Sequence, residues 1–262
     1  DGTTAGTRLV YDINTYPAAE YSSSYPQYLY ALPDKLLFFA TDFFSIGGLW
    51  STDGTAQGTH YIGSPDNFYD MHIAGGRAFI ATSSVSGKGL WITDGTVEGT
   101  QFLKEFVNDQ GELRQIEIHP LGDGVAFLVV SSSIEIWYSD GSVSGTVQLS
   151  SVPFVSNWYD EYPSITFDSK AVFAVRGPVL GKYTLVGTNG TLAGTYNLAI
   201  LNMNWVKPFV FEGEMLLHAC PQTLINCDLW RSDGTFLGTQ PTNITDPAMK
   251  FLHENGVKFK DR

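Results

Sequence analysis

Short apolar runs recur along the whole chain, separated by Gly, Pro, Asp, Asn and Ser. They come in pairs around a turn signal: YDMHIA and RAFIAT flank Gly75-Gly76, and YPSITF and KAVFAV flank Asp168-Ser169. Short runs with β-branched and aromatic bias, bounded by turn residues, predict β-strands joined as hairpins. Because no apolar periodicity of 3.6 residues persists, repeat folds built from helices are excluded.

One heptapeptide, Asp/Asn-Gly-Thr/Ser-x-x-Gly-Thr, organises these runs. Its copies are DGTTAGT from Asp1, DGTAQGT from Asp53, DGTVEGT from Asp94, DGSVSGT from Asp140, NGTLAGT from Asn189 and DGTFLGT from Asp233. Successive copies start 52, 41, 46, 49 and 44 residues apart, and the last five follow LWST, LWIT, IWYS, LVGT and LWRS. Since Asp can accept bonds from downstream amides and Gly tolerates positive φ, each copy predicts the turn of a second hairpin.

Two hairpins per repeat make four antiparallel strands, which is the unit of a β-propeller blade. The sequence therefore predicts an all-β, six-bladed propeller that occupies residues 1–262 as a single domain. Residues 248–253 and 256–260 would supply two strands of the sixth blade, and residues 7–11 its outer strand, so that the terminal strands close the ring. The third strand of that blade has no counterpart, and we therefore expect the chain to be a fragment of a longer one.

These repeats resemble the ELWxxDGTxxGT repeat of bacterial secreted and surface proteins. LWSTDGTAQGT and LWITDGTVEGT match it almost letter for letter, without the leading Glu. The copy at Asn189 departs most, because Val186 stands in place of Trp. The resemblance implies a β-propeller module and little about its activity.

Composition and charge narrow the function classes. With 15 basic and 27 acidic residues, the formal charge of −12 disfavours binding to nucleic acid or to anionic membrane surfaces. The sequence has no apolar run long enough for a transmembrane helix. The aromatic content of 14% predicts a packed core, since a disordered chain carries few such residues.

Of the two cysteines, Cys220 ends one predicted strand and Cys227 begins the next. Because residues that flank a hairpin loop face each other, we expect a disulfide, which forms in an oxidising compartment. The sequons at Asn189 and Asn243 agree with a secreted or cell-surface location as candidate glycosylation sites.

Candidate binding residues lie in the connections between blades, which vary while the hairpin turns do not. In a propeller these connections share one face, so their aromatic and acidic residues would cluster around one opening on that face. There they could stack on sugar rings or bind a peptide. The alternative is that these residues only hold the long loops against the blades. The residues are Tyr16, Tyr21, Tyr25, Trp158, Tyr159, Asp160, Glu161 and Trp205.

The chain lacks the common catalytic, nucleotide-binding and calcium-binding motifs, and we predict no metal and no cofactor. The repeated aspartates Asp53, Asp94, Asp140 and Asp233 are interpreted as turn caps, since they recur once per blade. The repeated tryptophans are interpreted as packing between blades. The five histidines share no spacing in the sequence, so none is predicted to be catalytic.

The sequence thus favours a non-enzymatic extracellular binding or structural assembly module that contacts protein or glycan through its variable loop face. A lectin-like glycan binder is one alternative. A carbohydrate-active hydrolase that uses Asp160 or Glu161 is the other, and it would need a pair of carboxylates at hydrolase distance in a central pocket.

Overall fold

The computed structural model describes residues 2–15, 23–42, 47–65, 68–84, 87–106, 115–131, 133–153, 162–176, 182–221 and 227–246. The strands within these ranges form five four-stranded sheets. The first sheet runs β1 (Gln27–Ala31), β2 (Leu36–Thr41), β3 (Gly47–Thr52), β4 (His60–Gly63). The second runs β5 (Phe68–Ala74), β6 (Arg77–Ser84), β7 (Gly87–Thr93), β8 (Gln101–Glu105).

The remaining three sheets repeat this up-and-down order. The third holds β9 (Gln115–Leu121), β10 (Gly124–Val130), β11 (Ser133–Ser139) and β12 (Thr146–Pro153). The fourth holds β13 (Ser164–Phe167), β14 (Lys170–Arg176), β15 (Tyr183–Thr188) and β16 (Thr195–Leu201). The fifth holds β17 (Trp205–Phe211), β18 (Glu214–Cys220), β19 (Cys227–Ser232) and β20 (Gln240–Asp246). The prediction of an all-β chain built from four-stranded antiparallel units is confirmed.

The hairpin between the first two strands of a sheet closes on a two-residue turn. Ala74 pairs with Arg77 around Gly75 and Gly76, whose φ angles are +54° and +72°. Asp168 and Ser169 adopt the same left-handed conformation without being glycine. Two consecutive positive φ angles match the twist of the flanking strands, which explains why the turn signals in the sequence located these hairpins.

The heptapeptide closes the hairpin between the third and fourth strands through a fixed set of bonds, seen clearly in the copy at Asp94. The Asp94 carboxylate accepts bonds from the Thr96 amide at 2.9 Å and the Thr96 hydroxyl at 2.7 Å. The Thr96 hydroxyl in turn accepts the Gly99 amide at 2.9 Å, and a Cβ atom at Gly99 would overlap the Asp94 carboxylate. Gly95 has φ +85°. The fixed residues Asp94, Gly95, Thr96 and Gly99 of the motif therefore each have a structural role in the turn.

Neighbouring sheets also meet at these turns through a cation. Arg77, at the start of β6, donates to the carbonyl oxygen of Asp140 at 2.8 Å. Lys35 and Lys170 hold the same place at the turns of Asp94 and Asp233. The pKa of all three turn aspartates is lowered, mainly by the hydroxyl donor two residues on, with the cation adding a smaller effect.

The chain divides into two compact units, residues 1–125 with 139–146 and residues 126–138 with 147–262. In the first, buried Leu37 and Leu49 of the first sheet pack with Met71 and Ile80 of the second. In the second, Val172 and Leu185 of the fourth sheet pack with Leu217 of the fifth, and Trp230 lies against them. Each unit therefore has a core between adjacent sheets.

The sixth blade differs from expectation where the structure describes it. Residues 7–11, predicted as its outer strand, form no strand, and Leu9 is 78% exposed. A strand forms only when it pairs, and within the described ranges this segment has no strand partner; Tyr11 instead approaches the ring of Trp50 at 6.4 Å. Residues 248–253 and 256–260 lie outside the described residues.

The repeated tryptophan has a polar partner in the third sheet. Trp137 donates its indole N–H to the Glu135 carboxylate at 2.9 Å. Glu135 occupies the position of the leading Glu in the ELW pattern. In the first, second and fifth sheets that position holds Gly48, Gly89 and Asp228. There the indole nitrogens of the corresponding tryptophans are buried with no hydrogen-bond partner among the described residues.

We therefore expect Glu135→Ala to lower the free energy of unfolding by about 1–2 kcal/mol, because it leaves a buried N–H unbonded. Glu135→Gln keeps an acceptor and should cost less. The opposite change can be made in the fifth sheet. There Asp228→Glu lengthens the side chain by one carbon so that it can reach Trp230, and it should raise the free energy of unfolding by about 0.5–1 kcal/mol. Urea unfolding of the three variants measures these changes, and equal stability of the Ala and Gln variants would contradict the role of the bond.

Candidate functional site

Two acid-x-His pairs lie at equivalent places on the first strands of the second and third sheets. Asp70 and His72 are on β5, and Glu117 and His119 are on β9. Because side chains alternate along a strand, each acid and its histidine point to the same face. β5 and β9 lie side by side, so Asp70, His72 and His119 form a polar row within the first unit.

Asp70 connects the two strands. One carboxylate oxygen lies 3.4 Å from Nε2 of His72, and the other accepts the Ile118 amide of β9 at 3.2 Å. Burial alone would raise the pKa of Asp70, but the His72 contact and the amide bonds outweigh it, and the pKa lies below its ordinary value. Asp70 is therefore a carboxylate at neutral pH, held in place to accept a hydrogen bond or orient His72.

His119 completes this group. Its ring stacks on that of His72, with the centroids 6.3 Å apart and the planes at 29°. Burial, with a smaller effect from the charge of His72, lowers the pKa of His119 to about 4. His119 is thus neutral at pH 7, when an imidazole can both donate and accept a hydrogen bond.

Three tyrosines lie at the start of the first sheet, and Tyr30 connects them to the row. Tyr25 and Tyr28 are 67% and 51% exposed, and both have positive φ, +46° and +54°. Tyr30 is half-buried; its pKa is raised by burial first and then by the charge of Asp70, so its hydroxyl lies in the field of that carboxylate. Left-handed backbone at non-glycine residues is costly and clusters at binding sites.

We name Tyr25, Tyr28, Tyr30, Asp70, His72 and His119 the tyrosine–histidine site. It combines a fixed carboxylate and two imidazoles with Tyr30, which interacts electrostatically with Asp70, and with the two exposed tyrosines that precede Tyr30 in the chain. Such a surface can stack against an apolar face of a ligand while bonding its hydroxyl or amide groups.

Of the eight aromatic and acidic residues predicted to bind, two lie in the described ranges. Tyr25 is part of the tyrosine–histidine site. Trp205 begins β17 and packs edge-on against His218, with the ring centroids 5.1 Å apart, so its ring contacts the fifth sheet itself. The others lie outside the described residues: Tyr16, Tyr21, Trp158, Tyr159, Asp160 and Glu161.

The structure contains the Cys220–Cys227 disulfide. Cys220 ends β18 and Cys227 begins the neighbouring strand, as the hairpin argument requires. At the sequons, Asn189 uses its side-chain oxygen to accept the Thr191 amide at 3.1 Å, in the role that Asp has in other copies. Asn243 lies in β20, and its side chain is not among those described.

The sequence reasoning missed the histidines of the site. His72 and His119 are 47 residues apart, as are Asp70 and Glu117, which is close to the 46-residue step between the Asp94 and Asp140 copies. Aligning the repeats on their turns would have placed the two pairs at one position of adjacent blades. The view that the histidines share no spacing was therefore wrong for this pair.

A separate cavity of about 330 Å³ lies in the second unit, at the turn end of the sheets. Its lining combines an aromatic ring, one cation and two acids: Phe167, Arg231, Glu214 and Asp233. The cavity lies at the turn ends of the strands. The binding residues predicted from the sequence lie instead in the connections between blades, at the opposite ends of the strands.

Comparison with known proteins gives limited guidance. No protein-family model matches the chain. No curated protein matches it. The solved structures it resembles include a puromycin hydrolase, at 12% identity and TM-score 0.44, covering 82% of this chain and 35% of that one.

Two further likenesses are equally distant in sequence. The β-propeller domain of the Trilobed protease from Pyrococcus furiosus shares 11% identity at TM-score 0.48, covering 90% of this chain and 75% of that one. An α-L-arabinofuranosidase from Clostridium thermocellum shares 12% at TM-score 0.31, covering 88% and 97%. The chain spans about a third of the length of the puromycin hydrolase.

Among the described residues, no helix is both long and apolar enough to cross a membrane.

Proposed function

We propose that this chain is a non-enzymatic extracellular binding or assembly module of the ELWxxDGTxxGT-repeat propeller type. In this proposal a sixth blade completes the ring, and the module is secreted or displayed at the cell surface. The Cys220–Cys227 disulfide supports an oxidising compartment. The net charge of −12 argues against nucleic acid as the partner.

The observation that carries the binding role is the pair of exposed tyrosines held in left-handed backbone at the edge of a site with a fixed carboxylate. Tyr25 and Tyr28 project large rings into solvent at a conformational cost of about 1–3 kcal/mol each. The Tyr28 ring also packs edge-on against Phe39, with the ring centroids 6.0 Å apart, while about half of its surface stays exposed. Tyrosine supplies wide contact area at low entropic cost, which is why it is frequent at binding surfaces.

A glycan fits this surface well. Sugar rings present apolar C–H faces that stack on tyrosine, and their hydroxyls would bond to Asp70 and His72. A protein ligand is the other outcome of the test, since the same rings could anchor a peptide.

The test is binding of the purified protein to a glycan array, followed by titration of the best glycan. We expect Tyr28→Ala to weaken binding at least tenfold, because exposed aromatic anchors dominate such interfaces. Phe236→Ala is the matched control: Phe236 is an aromatic residue of similar exposure, 64%, but lies on the turn of the fifth sheet. Equal loss in both variants, or no loss in either, would contradict the assignment of the site.

The hydrolase alternative can be tested at Asp70 and Glu117, two carboxylates at equivalent positions on neighbouring strands. Release of reducing sugar from the bound glycan, abolished by Asp70→Asn, would favour a hydrolase. Retention of intact glycan by the wild-type protein favours the binding module.

A further inference from the structure

His218, Cys220 and Cys227 form a compact group in the fifth sheet. Their ligating atoms all lie within 4.8 Å of one another, and it is the one such trio of metal-ligating side chains in the described part of the chain. His218 and Cys220 are two residues apart on β18 and therefore share a face of the sheet. All three residues are buried.

One edge of this group, from His218 to Cys220, has the length that a tetrahedral ion requires. Nε2 of His218 lies 3.5 Å from Sγ of Cys220. Zinc–sulfur bonds of about 2.3 Å and zinc–nitrogen bonds of about 2.0–2.1 Å, at the tetrahedral angle, require about 3.5–3.6 Å between those two ligands. The sheet thus already sets one edge of the coordination tetrahedron, and the Trp205 ring packed edge-on against His218 holds the imidazole in that orientation.

We propose that reduction of the Cys220–Cys227 disulfide converts this group into a Cys₂His site for a thiophilic divalent cation such as Zn²⁺. The proposal is independent of the tyrosine–histidine site. The redox state of the disulfide then controls metal binding: the oxidised chain has no thiolate ligand, whereas the reduced chain has two thiolates beside an imidazole.

The chemistry balances with a dithiol reductant. The reductant supplies two electrons and two protons, the S–S bond breaks, and the reductant leaves as its own disulfide. Zn²⁺ then displaces the two thiol protons and binds two thiolates and neutral His218, with water as the fourth ligand. A disulfide oxidant such as oxidised glutathione then accepts the two electrons and, with two protons from water, becomes two thiols, while the Cys220–Cys227 bond re-forms and the ion is released.

The sequence gives little sign of this site, because the common zinc motifs contain four cysteines, or two cysteines with two spaced histidines. One histidine two residues before a cysteine on the same strand is a weak signal alone. Pairing Ala219 with Asp228 is what brings Cys227 opposite Cys220, and that is a property of the sheet.

The test compares one protein in two redox states. After reduction with a phosphine and removal of the reductant under argon, equilibrium dialysis should find one Zn²⁺ per chain, bound at least 100-fold more tightly than by the oxidised protein. Co²⁺ should give thiolate-to-metal charge-transfer absorption in the reduced protein, and oxidised glutathione should abolish it. Equal metal uptake by both states, or no charge-transfer band, would overturn the proposal.

Variants separate this site from two thiols acting alone. His218→Gln should weaken zinc binding by the reduced protein at least tenfold, whereas His60→Gln, which removes an imidazole from β4, should leave it unchanged. An unchanged affinity in His218→Gln overturns the proposal. The far-UV circular dichroism of the reduced protein should keep its β-sheet signal; its loss would also count against the site, because the sheet positions His218. The cobalt spectrum needs no variant and keeps the proposal testable if His218→Gln fails to fold.

Discussion

Gly95→Val should lower the free energy of unfolding by about 3–4 kcal/mol, the largest effect that we expect from a single substitution in this chain. Two costs combine. Gly95 has φ +85°, which a β-branched residue resists, and its new Cβ would lie 2.9 Å from Cδ of Lys35 and 3.2 Å from a methyl carbon of Leu32. The second contact matters because Leu32 belongs to the core between the first two sheets.

Gly54→Val separates the two costs. Gly54 occupies the same position of the preceding copy with φ +88°, and a Cβ there meets no atom of the described residues within 4 Å. It should therefore cost only the backbone strain, about 1–3 kcal/mol. Urea unfolding of both variants measures the difference. If the two variants lose equal stability, the contact between the Asp94 turn and the first sheet contributes nothing.

Acid should destabilise the protein through His119, by about 3 kcal/mol between pH 7 and pH 4. The folded pKa of His119 is about 4, below its ordinary value of 6.5. Between these values the unfolded chain binds more protons than the folded one, so stability rises with pH across this window and is lost as pH falls through it. The magnitude follows because a tenfold change in proton affinity corresponds to about 1.4 kcal/mol.

His119→Gln should flatten this part of the pH profile, because glutamine does not titrate. Unfolding by urea at half-unit steps from pH 4 to pH 7.5 gives the slope for both proteins. His60→Gln serves as the control and should keep the slope of the wild-type protein. Asp70, whose pKa is lowered, adds its own loss of stability in more acidic solution, and comparison of the two slopes removes that contribution. An unchanged slope in His119→Gln would contradict the burial of the neutral imidazole.

Much of the fold could be read from the sequence because its signals are local. The turn at Asp94 is held by bonds among residues within seven positions of one another, so the heptapeptide determines it wherever it occurs. The disulfide was also predictable, since a hairpin loop places its flanking residues opposite each other. The outer strand predicted at residues 7–11 was not, because strand pairing between segments distant in the chain is not decided by a run of apolar residues.

The residues of the tyrosine–histidine site also differ in how far the sequence predicts them. Tyr25 was recognisable as an aromatic residue at a connection between blades. The association of Asp70, His72 and His119 depended on two strands from different repeats lying side by side. The low pKa of His119 depends on burial by side chains distant in sequence, for which no local motif is a guide.

By itself, then, the sequence determined the repeat, the turns and the four-stranded antiparallel unit, because these follow from hydrogen bonds and conformational preferences within a few residues. Only the tertiary structure decided which side chains of different repeats meet. It placed Asp70 against the Ile118 amide and His72 against His119. It also set Nε2 of His218 beside the disulfide, at a distance fixed by sheet register. Such contacts arise from packing between strands, and packing depends on the shape of the whole neighbourhood instead of on any one segment.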